Sequence, residues 1–285
     1  DGVNPTRHST DGTSFTNTTA APIASQFVDY QGRIWAMGTA SYMFYSTVGT
    51  ASDWTTDSSS ILIPGPGKLN NLMKASDRIL TSKISGVMHR WDGVYLVDMA
   101  TELGPSSPYS VASIENTKVF LNRLGVFITN GDNPNLISNS VQRQIYNDAQ
   151  NGITGGQFDT APADTYRYDW LCSIGTVTDD FTETQIPNAI LKYDYQKNEF
   201  SNYQFNNFPT AWHANKDATG VEQLVFGDAA GATYQYGGTA KTDNGTAVGL
   251  NLLLILHGNM PHTAKEWKYL QIFTNPGCQG KVQFM

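Results

Sequence analysis

The stretch "GVFITNGDNPNLIS", residues 125–138, contains two apolar segments separated by a turn. The first segment is rich in the β-branched and aromatic residues that favour strands. The Asn, Gly, Asp and Pro residues at 130–134 supply the backbone angles that a tight corner needs. The stretch therefore predicts a strand, a corner and the start of a second strand.

Strand-like segments of the same type recur along the chain. Each is preceded by one strand-like segment and followed by another, so the repeated unit is a meander of about 40 to 50 residues. The recurring segments are "RIWAMG" (33–38), "RILTSK" (78–83), "KVFLNR" (118–123), "WLCSIG" (170–175) and "QLVFGD" (223–228). A period of this size is typical of a four-stranded propeller blade. We therefore predict an all-β fold, a β-propeller with five to six four-stranded blades.

The repeats also predict the domain boundaries. We expect the propeller to occupy residues 1–247, and the segment "DWTTD" (53–57) to be the outer strand of the first blade. The expected blades lie near residues 25–56, 69–100, 109–147, 165–205 and 209–238.

The two ends of the chain are predicted to share a blade. Residues 5–19 hold two strand-like pieces around Asp11-Gly12, a strong hairpin signal. Strands from residues 248–285 either complete this blade, which would remove an exposed edge, or begin a β-sandwich. Because Asp1 lies in what resembles the middle of a strand, we expect the chain to be part of a longer protein or a processed one.

One segment, "NSVQRQIYNDA" (139–149), shows helical spacing. Val141, Ile145 and Tyr146 would share one face of a helix. An outer strand that runs into a loop is equally compatible with this segment.

Composition and charge narrow the possible partners. Charged residues are 15% of the chain and the net charge is −7, so the chain lacks the excess of Lys and Arg needed to neutralise phosphates. Such a chain could still line a passage through which DNA slides. Cys172 lies in an apolar run and is predicted to be a core residue. The longest apolar run, 248–256, is far shorter than the ~20 residues of a membrane helix, so we expect no membrane partner.

Two places hold residue types that bind metals. Asp132 and Asn133 offer oxygen ligands suited to Ca²⁺, and His257 and His262 offer nitrogen ligands. The first lacks a spaced pattern of acidic residues and the second lacks a third ligand with zinc-type spacing. We therefore predict no metal and no cofactor, and a structural role for the turn at 130–134.

The sequence also contains candidates for sugar chemistry. A glycosidase needs paired carboxylates, and a sialidase also needs clustered arginines, but Arg33, Arg78, Arg123 and Arg167 lie at strand ends, where a solvated rim is expected. No glutamate pairs with a tyrosine in a recognisable motif, and no nucleotide loop or nucleophile elbow is present, so we predict that the protein is not an enzyme. Several aromatic residues could stack on sugars or pack between blades: Tyr42, Tyr45, Tyr109, Tyr203, Tyr234 and Tyr236.

Two hairpin segments resemble a known structural motif. "STDGTSF" (9–15) and "STVGTASDW" (46–54) are similar to the Asp-box hairpins of sialidase-type propellers, although Val48 stands in place of the Asp in the second. In that family the box is structural, so the resemblance implies fold and not chemistry.

Longer phrases resemble propeller proteins of tailed-phage tails. These are "QGRIWAMG…MFYST…DWT", "GVYLVD…PYSVASIENTKVFLNRLGVFITNGDNPNLIS" and "AILKYDYQKNEFSNY". The chain is similar over most of residues 26–285 to the tail nozzle, also called tail tubular protein B, and to related DNA-stabilisation proteins. The C-terminal phrase "AKEWKYLQIFTNPGCQGKVQF" resembles the segment where those chains leave the propeller for a β-sandwich.

The resemblance implies a virion structural protein. In that family several copies, commonly six, form a ring below the portal and adaptor. The ring extends the channel for the genomic DNA, without sequence-specific binding, and helps to retain and eject the genome. The alternatives are a carbohydrate-binding propeller of the receptor-binding or lectin-like kind and a glycoside hydrolase.

Overall fold

The computed structural model describes residues 3–38, 40–56, 58–99, 102–145, 153, 155–178, 185–236, 242–243 and 246–247. The chain divides into two compact units, Asp1–Thr246 and Ala247–Met285, and the described residues lie almost entirely in the first. Residues 248–285, where further strands are predicted, fall outside the described residues, and so do His257 and His262.

Five antiparallel sheets follow one another along the chain, and each is a meander of consecutive strands. We call them blades 1 to 5. Blade 1 contains β3 (Ala24–Tyr30), β4 (Arg33–Gly38), β5 (Tyr42–Tyr45) and β6 (Ser59–Leu62). Blade 2 contains β7 (Leu69–Ala75), β8 (Arg78–Lys83), β9 (Met88–Trp91) and β10 (Leu96–Asp98). Blade 3 contains β11 (Ala112–Ile114), β12 (Thr117–Asn122), β13 (Gly125–Thr129) and β14 (Asn135–Leu136).

The remaining blades are built in the same way. Blade 4 contains β15 (Ala163–Tyr166), β16 (Asp169–Thr178), β17 (Gln185–Asp194) and β18 (Glu199–Gln204). In blade 5 the described strands are β19 (Ala211–Lys216), β20 (Glu222–Gly227) and β21 (Thr233–Tyr236). Two short hairpins pair β1 (Arg7–His8) with β2 (Thr16–Asn17), and β22 (Thr242–Asp243) with β23 (Thr246–Ala247).

Helical structure is confined to short segments in the described part of the chain. A 3₁₀-helix at Asn139–Val141 continues into α1 (Gln142–Ile145), and α2 spans Gly155–Thr160. The helical alternative for the segment 139–149 is therefore correct over 139–145. Val141 and Ile145 are both buried, which is consistent with the predicted shared face, and Tyr146 lies outside the described residues. No helix among the described residues has the length and apolar character needed to cross a membrane.

The second strand is among the most buried elements of its blade. In β12, Val119, Phe120 and Leu121 are all fully buried, so both faces of this strand are covered. A continuous apolar run, instead of strict alternation, is the pattern of such a strand. Cys172 in β16 is likewise fully buried, which confirms the prediction for this residue. Blade 3, which contains β12, therefore packs against a neighbouring sheet on both faces.

Apolar clusters join each blade to the next. Trp35 and Ile79 pack in a cluster between blades 1 and 2, and Leu80 and Phe120 in one between blades 2 and 3. Further clusters join blade 3 to blade 4 and blade 4 to blade 5. First strands also contact one another, as β3 contacts β7 and β15 contacts β11 and β19. The chain is a β-propeller, as predicted, with the first strand of each blade innermost.

The outer strand of blade 1 differs from the prediction. It is β6 at Ser59–Leu62, whereas the predicted segment 53–57 forms a turn in its described part. The Asp53 carboxylate accepts hydrogen bonds from the backbone N–H groups of Thr55 and Thr56, which closes the chain into that turn. Trp54 is buried against Ala24 and Ala36, so its apolar ring serves packing and not an edge strand.

Candidate functional site

The turn at 130–134 belongs to blade 3 and contacts blade 2 through hydrogen bonds. It connects β13 to β14 in blade 3, as predicted. Oδ1 of Asp132 accepts hydrogen bonds from Arg78 at 2.6 Å and from Arg90 at 2.9 Å, and both arginines belong to blade 2. The carboxylate is therefore already engaged by two guanidinium groups of the neighbouring blade.

The backbone of this turn is also fitted to blade 2. Gly131 has φ +112°, a conformation that residues with a side chain rarely adopt. A Cβ atom at this position would lie 3.1 Å from the carbonyl oxygen of Ala75. Thr129 Oγ1 donates to the carbonyl of Asp132 and accepts from the N–H of Gly131. In the described part of the chain no three His, Cys, Asp or Glu residues lie close enough to hold a metal ion.

The four arginines singled out from the sequence each have partners of their own. Arg33 donates to the carbonyl of Ser46 and lies over the ring of Tyr45. Arg78 pairs with Asp132, Arg123 with Asp159, and Arg167 lies over the ring of Tyr166. These contacts give each guanidinium a local structural partner, and they do not assemble the arginines around one carboxylate-binding point.

The six tyrosines divide into packed and exposed groups. Tyr45 packs on Trp35, Tyr234 on Phe226, and burial raises the pKa of Tyr236 to about 12. Three others are exposed, and they belong to different parts of the chain: Tyr42 in β5, Tyr109 before β11 and Tyr203 in β18.

A pocket lies beside the first strands of blades 1 and 2, the second strand of blade 3 and the segment that precedes blade 3. Its volume is about 540 Å³, and it is lined by residues 26–29 of β3, residues 71–74 of β7, and Pro108, Val111 and Lys118 of blade 3 and the segment before it. Ligand pockets of roughly 300–1,000 Å³ are typical in proteins. We call this feature the inner pocket.

The inner pocket carries an excess of positive charge. Lys74 Nζ lies 3.4 Å from the carboxylate of Asp29, whose side chain is 81% exposed. Lys118 is half-buried and its amine donates to the hydroxyl of Ser113. Burial, and in second place the nearby charge of Lys74, lower the pKa of Lys118. Two ammonium groups therefore face one exposed carboxylate.

Amide side chains form the polar part of the wall. Gln26 accepts from the N–H of Leu72 at 2.6 Å and donates to the carbonyl of Pro108 at 3.2 Å, so it links three segments. Asn71 donates from Nδ2 to the same carbonyl at 3.3 Å. Its Oδ1 is buried and has no hydrogen-bond partner among the described residues. Such an acceptor costs free energy unless a donor reaches it.

The sequence patterns did not mark the lysines of this pocket, because a lysine near a strand end is typical of a solvated rim. A signal does exist. Asp29 and Lys74 are each the second-last residue of a first strand, and Lys118 is the second residue of a second strand. In a meander the end of the first strand and the start of the second strand lie at the same end of the sheet. The three residues therefore lie at one end of the propeller.

Comparison with protein families and with curated proteins finds no match. Among solved structures, BBS1N in complex with ARL6DN is similar, with 9% identity, 78% of this chain and 66% of that chain covered, and a TM-score of 0.51. The extracellular domain of the one-component system BT4673 from B. thetaiotaomicron has 12% identity, with 80% of this chain and 29% of that chain covered and a TM-score of 0.49. The computationally designed Ika8 protein has 11% identity, with 73% and 56% covered and a TM-score of 0.43.

This chain therefore spans less than two thirds of the length of these solved chains, at 66%, 29% and 56%. At 9% identity, the likeness to BBS1N shows the fold alone. The likeness to BBS1N and the stacked meanders together show a β-propeller.

Proposed function

We propose that the protein is a non-enzymatic structural component of a phage tail, of the nozzle or tail tube type. It assembles into a ring, for which the resemblance implies six copies, and the ring contacts the portal, the adaptor and other tail proteins. The genomic DNA passes through the ring without sequence-specific binding. The phrases that resemble tail nozzle proteins supply the phage assignment.

The observation that supports assembly into a ring is an exposed apolar edge on blade 2. Around its outer strand β10, the exposed fractions are 67% for Val94, 69% for Tyr95 and 37% for Val97. An outer strand also presents unpaired backbone groups, so an apolar edge of this kind favours association with another chain. Leu62 on β6 and Leu136 on β14 extend the exposed apolar surface to the outer strands of blades 1 and 3. These edges suit contact with a neighbouring subunit.

The charge of the chain is consistent with this function. A net charge of −7 makes the wall of a ring repel phosphates, so DNA is not held as it passes. The blades then act as a scaffold, and the negative charge of the channel wall keeps the DNA from binding to it.

The test is the mass of the purified chain in solution, measured by light scattering, with electron microscopy to count copies around the symmetry axis. We expect rings for the unchanged chain and loss of rings for the double variant Tyr95→Asp, Val97→Asp. The matched control is Val221→Asp, at a side chain that is 56% exposed in a turn of blade 5, and it should still form rings. A chain that stays monomeric at every concentration, or a double variant that forms rings as well as the control, contradicts the proposal.

A second candidate function is a carbohydrate-binding propeller. One observation favours it, namely the inner pocket with Phe27 on its wall, since this aromatic side chain is 45% exposed. A lectin of this kind would bind a sugar as a monomer. A glycoside hydrolase has no comparable support, because the described residues that line this pocket include one carboxylate and not a pair.

A further inference from the structure

We propose that the inner pocket binds an anionic sugar unit, a saccharide that carries a carboxylate or a phosphate group. This inference does not rest on the phage assignment, since a ring-forming tail protein and a monomeric lectin could both hold such a site. It rests on the charge, the unpartnered acceptor and the apolar wall of the pocket.

The charge of the pocket selects an anion. Lys74 and Lys118 bring two ammonium groups to a site where Asp29 is the single acidic residue among the described lining residues, in a protein that is acidic as a whole. Lys118 forms no ion pair with any described residue, and its amine has the neutral hydroxyl of Ser113 as a partner. An anion beside the two amines replaces their mutual repulsion with charge-assisted hydrogen bonds, which are the stronger kind.

The amide wall selects a ligand that donates hydrogen bonds. Asn71 is 1% exposed, and its Nδ2 is held by the carbonyl of Pro108. Its Oδ1 is buried without a partner in the described part of the chain, so a rotation of the amide that brings this oxygen to the pocket would let a ligand hydroxyl satisfy it. A bare anion such as acetate has no donor to offer there.

The apolar wall and the volume select a ligand larger than an ion. Phe27 supplies the exposed apolar surface of this wall, at 45%, whereas Leu72 and Met73 are 4% and 3% exposed because they pack in the clusters between blades. A volume of about 540 Å³ holds a sugar ring, whose C–H face can cover an aromatic surface while its hydroxyls reach the polar wall. A sugar with one anionic substituent satisfies the three parts of the site together.

The test is calorimetric titration of the full chain with glucuronate, glucose 6-phosphate, glucose, acetate and inorganic phosphate. We expect saturable binding of at least one anionic sugar, and binding of glucose that is weaker by roughly tenfold or more. The comparison of glucuronate with glucose 6-phosphate tells which anionic group the site takes. Equal affinity for glucose and both anionic sugars overturns the proposal. So does inorganic phosphate or acetate that binds as tightly as the sugars, since the site then takes an ion only.

Lysine variants test whether the sugar binds in the inner pocket or elsewhere on the surface. Lys118→Met and Lys74→Met should each weaken binding of the anionic sugar by roughly tenfold or more, while the exposed Lys216→Met should leave it unchanged. Circular dichroism identifies any variant that fails to fold, and the two lysines provide independent measurements. No saturable binding of any of the sugars up to about 10 mM, or equal affinity of all three lysine variants, overturns the proposal. The double variant Tyr95→Asp, Val97→Asp should bind the sugar normally, so failure of ring assembly and failure of ligand binding are distinguishable.

Discussion

At the scale of single residues, Asp132 has the clearest role in joining two blades. Its carboxylate lies between Arg78 and Arg90, whose positions in the sequence are 54 and 42 residues away. The turn itself follows from its residue types, which supply the required backbone angles. The arginine partners could not be predicted in the same way, because they depend on how one blade packs on the next.

Replacing Asp132 with Ala should lower the free energy of unfolding by about 1 kcal/mol. The side chain is 63% exposed, so each of its two ion pairs contributes only a few tenths of a kcal/mol to about 1 kcal/mol. The measurement is urea denaturation. The control is Asp77→Ala, because this carboxylate is 88% exposed and lies 3.8 Å from Arg78 Nε, and it should change stability by less than roughly 0.5 kcal/mol. An equal loss in both variants would show that the contact between the blades has no special role.

At the scale of elements, the hairpin of β1 and β2 depends on one carboxylate. Asp11 accepts hydrogen bonds from the N–H groups of Ser14 and Thr13 and from the hydroxyl of Ser9. The bonds from the Ser14 and Thr13 backbone, in that order, hold the pKa of Asp11 well below its usual range. The Asp11-Gly12 signal thus predicted the hairpin correctly, and the pairing of Arg7 with Asn17 fixes its register.

The pH dependence of this hairpin has a definite sign. Because the folded pKa of Asp11 is lowered, its contribution is fully present above the ordinary pKa of about 4 and is lost as pH falls through the lowered value. In an NMR titration, the amide signals of Thr13 and Ser14 should keep their positions as pH falls through 4 and move only at lower pH. A midpoint near 4 would contradict the prediction. In Asp11→Asn these signals should show no titration of this carboxyl.

Strands were predictable where apolar and polar residues alternate or where several apolar residues follow one another. The outer strands of the blades were less predictable. The runs at 118–123 and 170–175 are second strands, as predicted, because a strand covered on both faces must be apolar throughout. The outer strand of blade 1 was predicted wrongly, because Trp54 has the character of a strand residue although Asp53 folds the chain into a turn. Edge strands carry little apolar pattern, so local side-chain hydrogen bonds decide their limits.

At the scale of the whole molecule, polar side chains join the blades in addition to the apolar clusters. Oδ2 of Asp164 in blade 4 accepts from the N–H of Ala214 in blade 5 at 2.8 Å. The indole N–H of Trp212 in blade 5 donates to Ser173 in blade 4 at the same distance. Each such bond fixes the position of one sheet along its neighbour, which apolar packing alone leaves less well defined.

Removal of the Asp164 acceptor should destabilise the propeller. Asp164→Ala leaves the N–H of Ala214 without its partner, and we expect a loss of about 1–3 kcal/mol in the free energy of unfolding. Asp164→Asn keeps one acceptor oxygen for the N–H of Ala214, but its NH2 group replaces the Oδ1 that accepts from the N–H of Thr165, so we expect a loss smaller than that of Asp164→Ala but not zero. Chemical denaturation checks both variants. The prediction is contradicted if Asn is as damaging as Ala, since the charge and not the hydrogen bond would then be responsible.

The inner pocket was the part of the molecule least accessible to sequence reasoning. Its wall takes residues from three blades, including Gln26, Asn71 and Lys118, and the sequence gives no distance between them. The repeats did predict at which end of the propeller each strand terminates. Among the described residues Asn71 Oδ1 has no partner, and this depends on the rotation of one amide, which the sequence does not determine.

The meander order of the strands has a consequence for folding during translation. Every blade is made of consecutive strands, so its ladder joins residues close together in the chain. Short loops close more readily than long ones, and chains begin to fold from their N-terminal end during translation. A sheet can therefore form soon after its last strand emerges from the ribosome, and it then offers an apolar face on which the next sheet condenses.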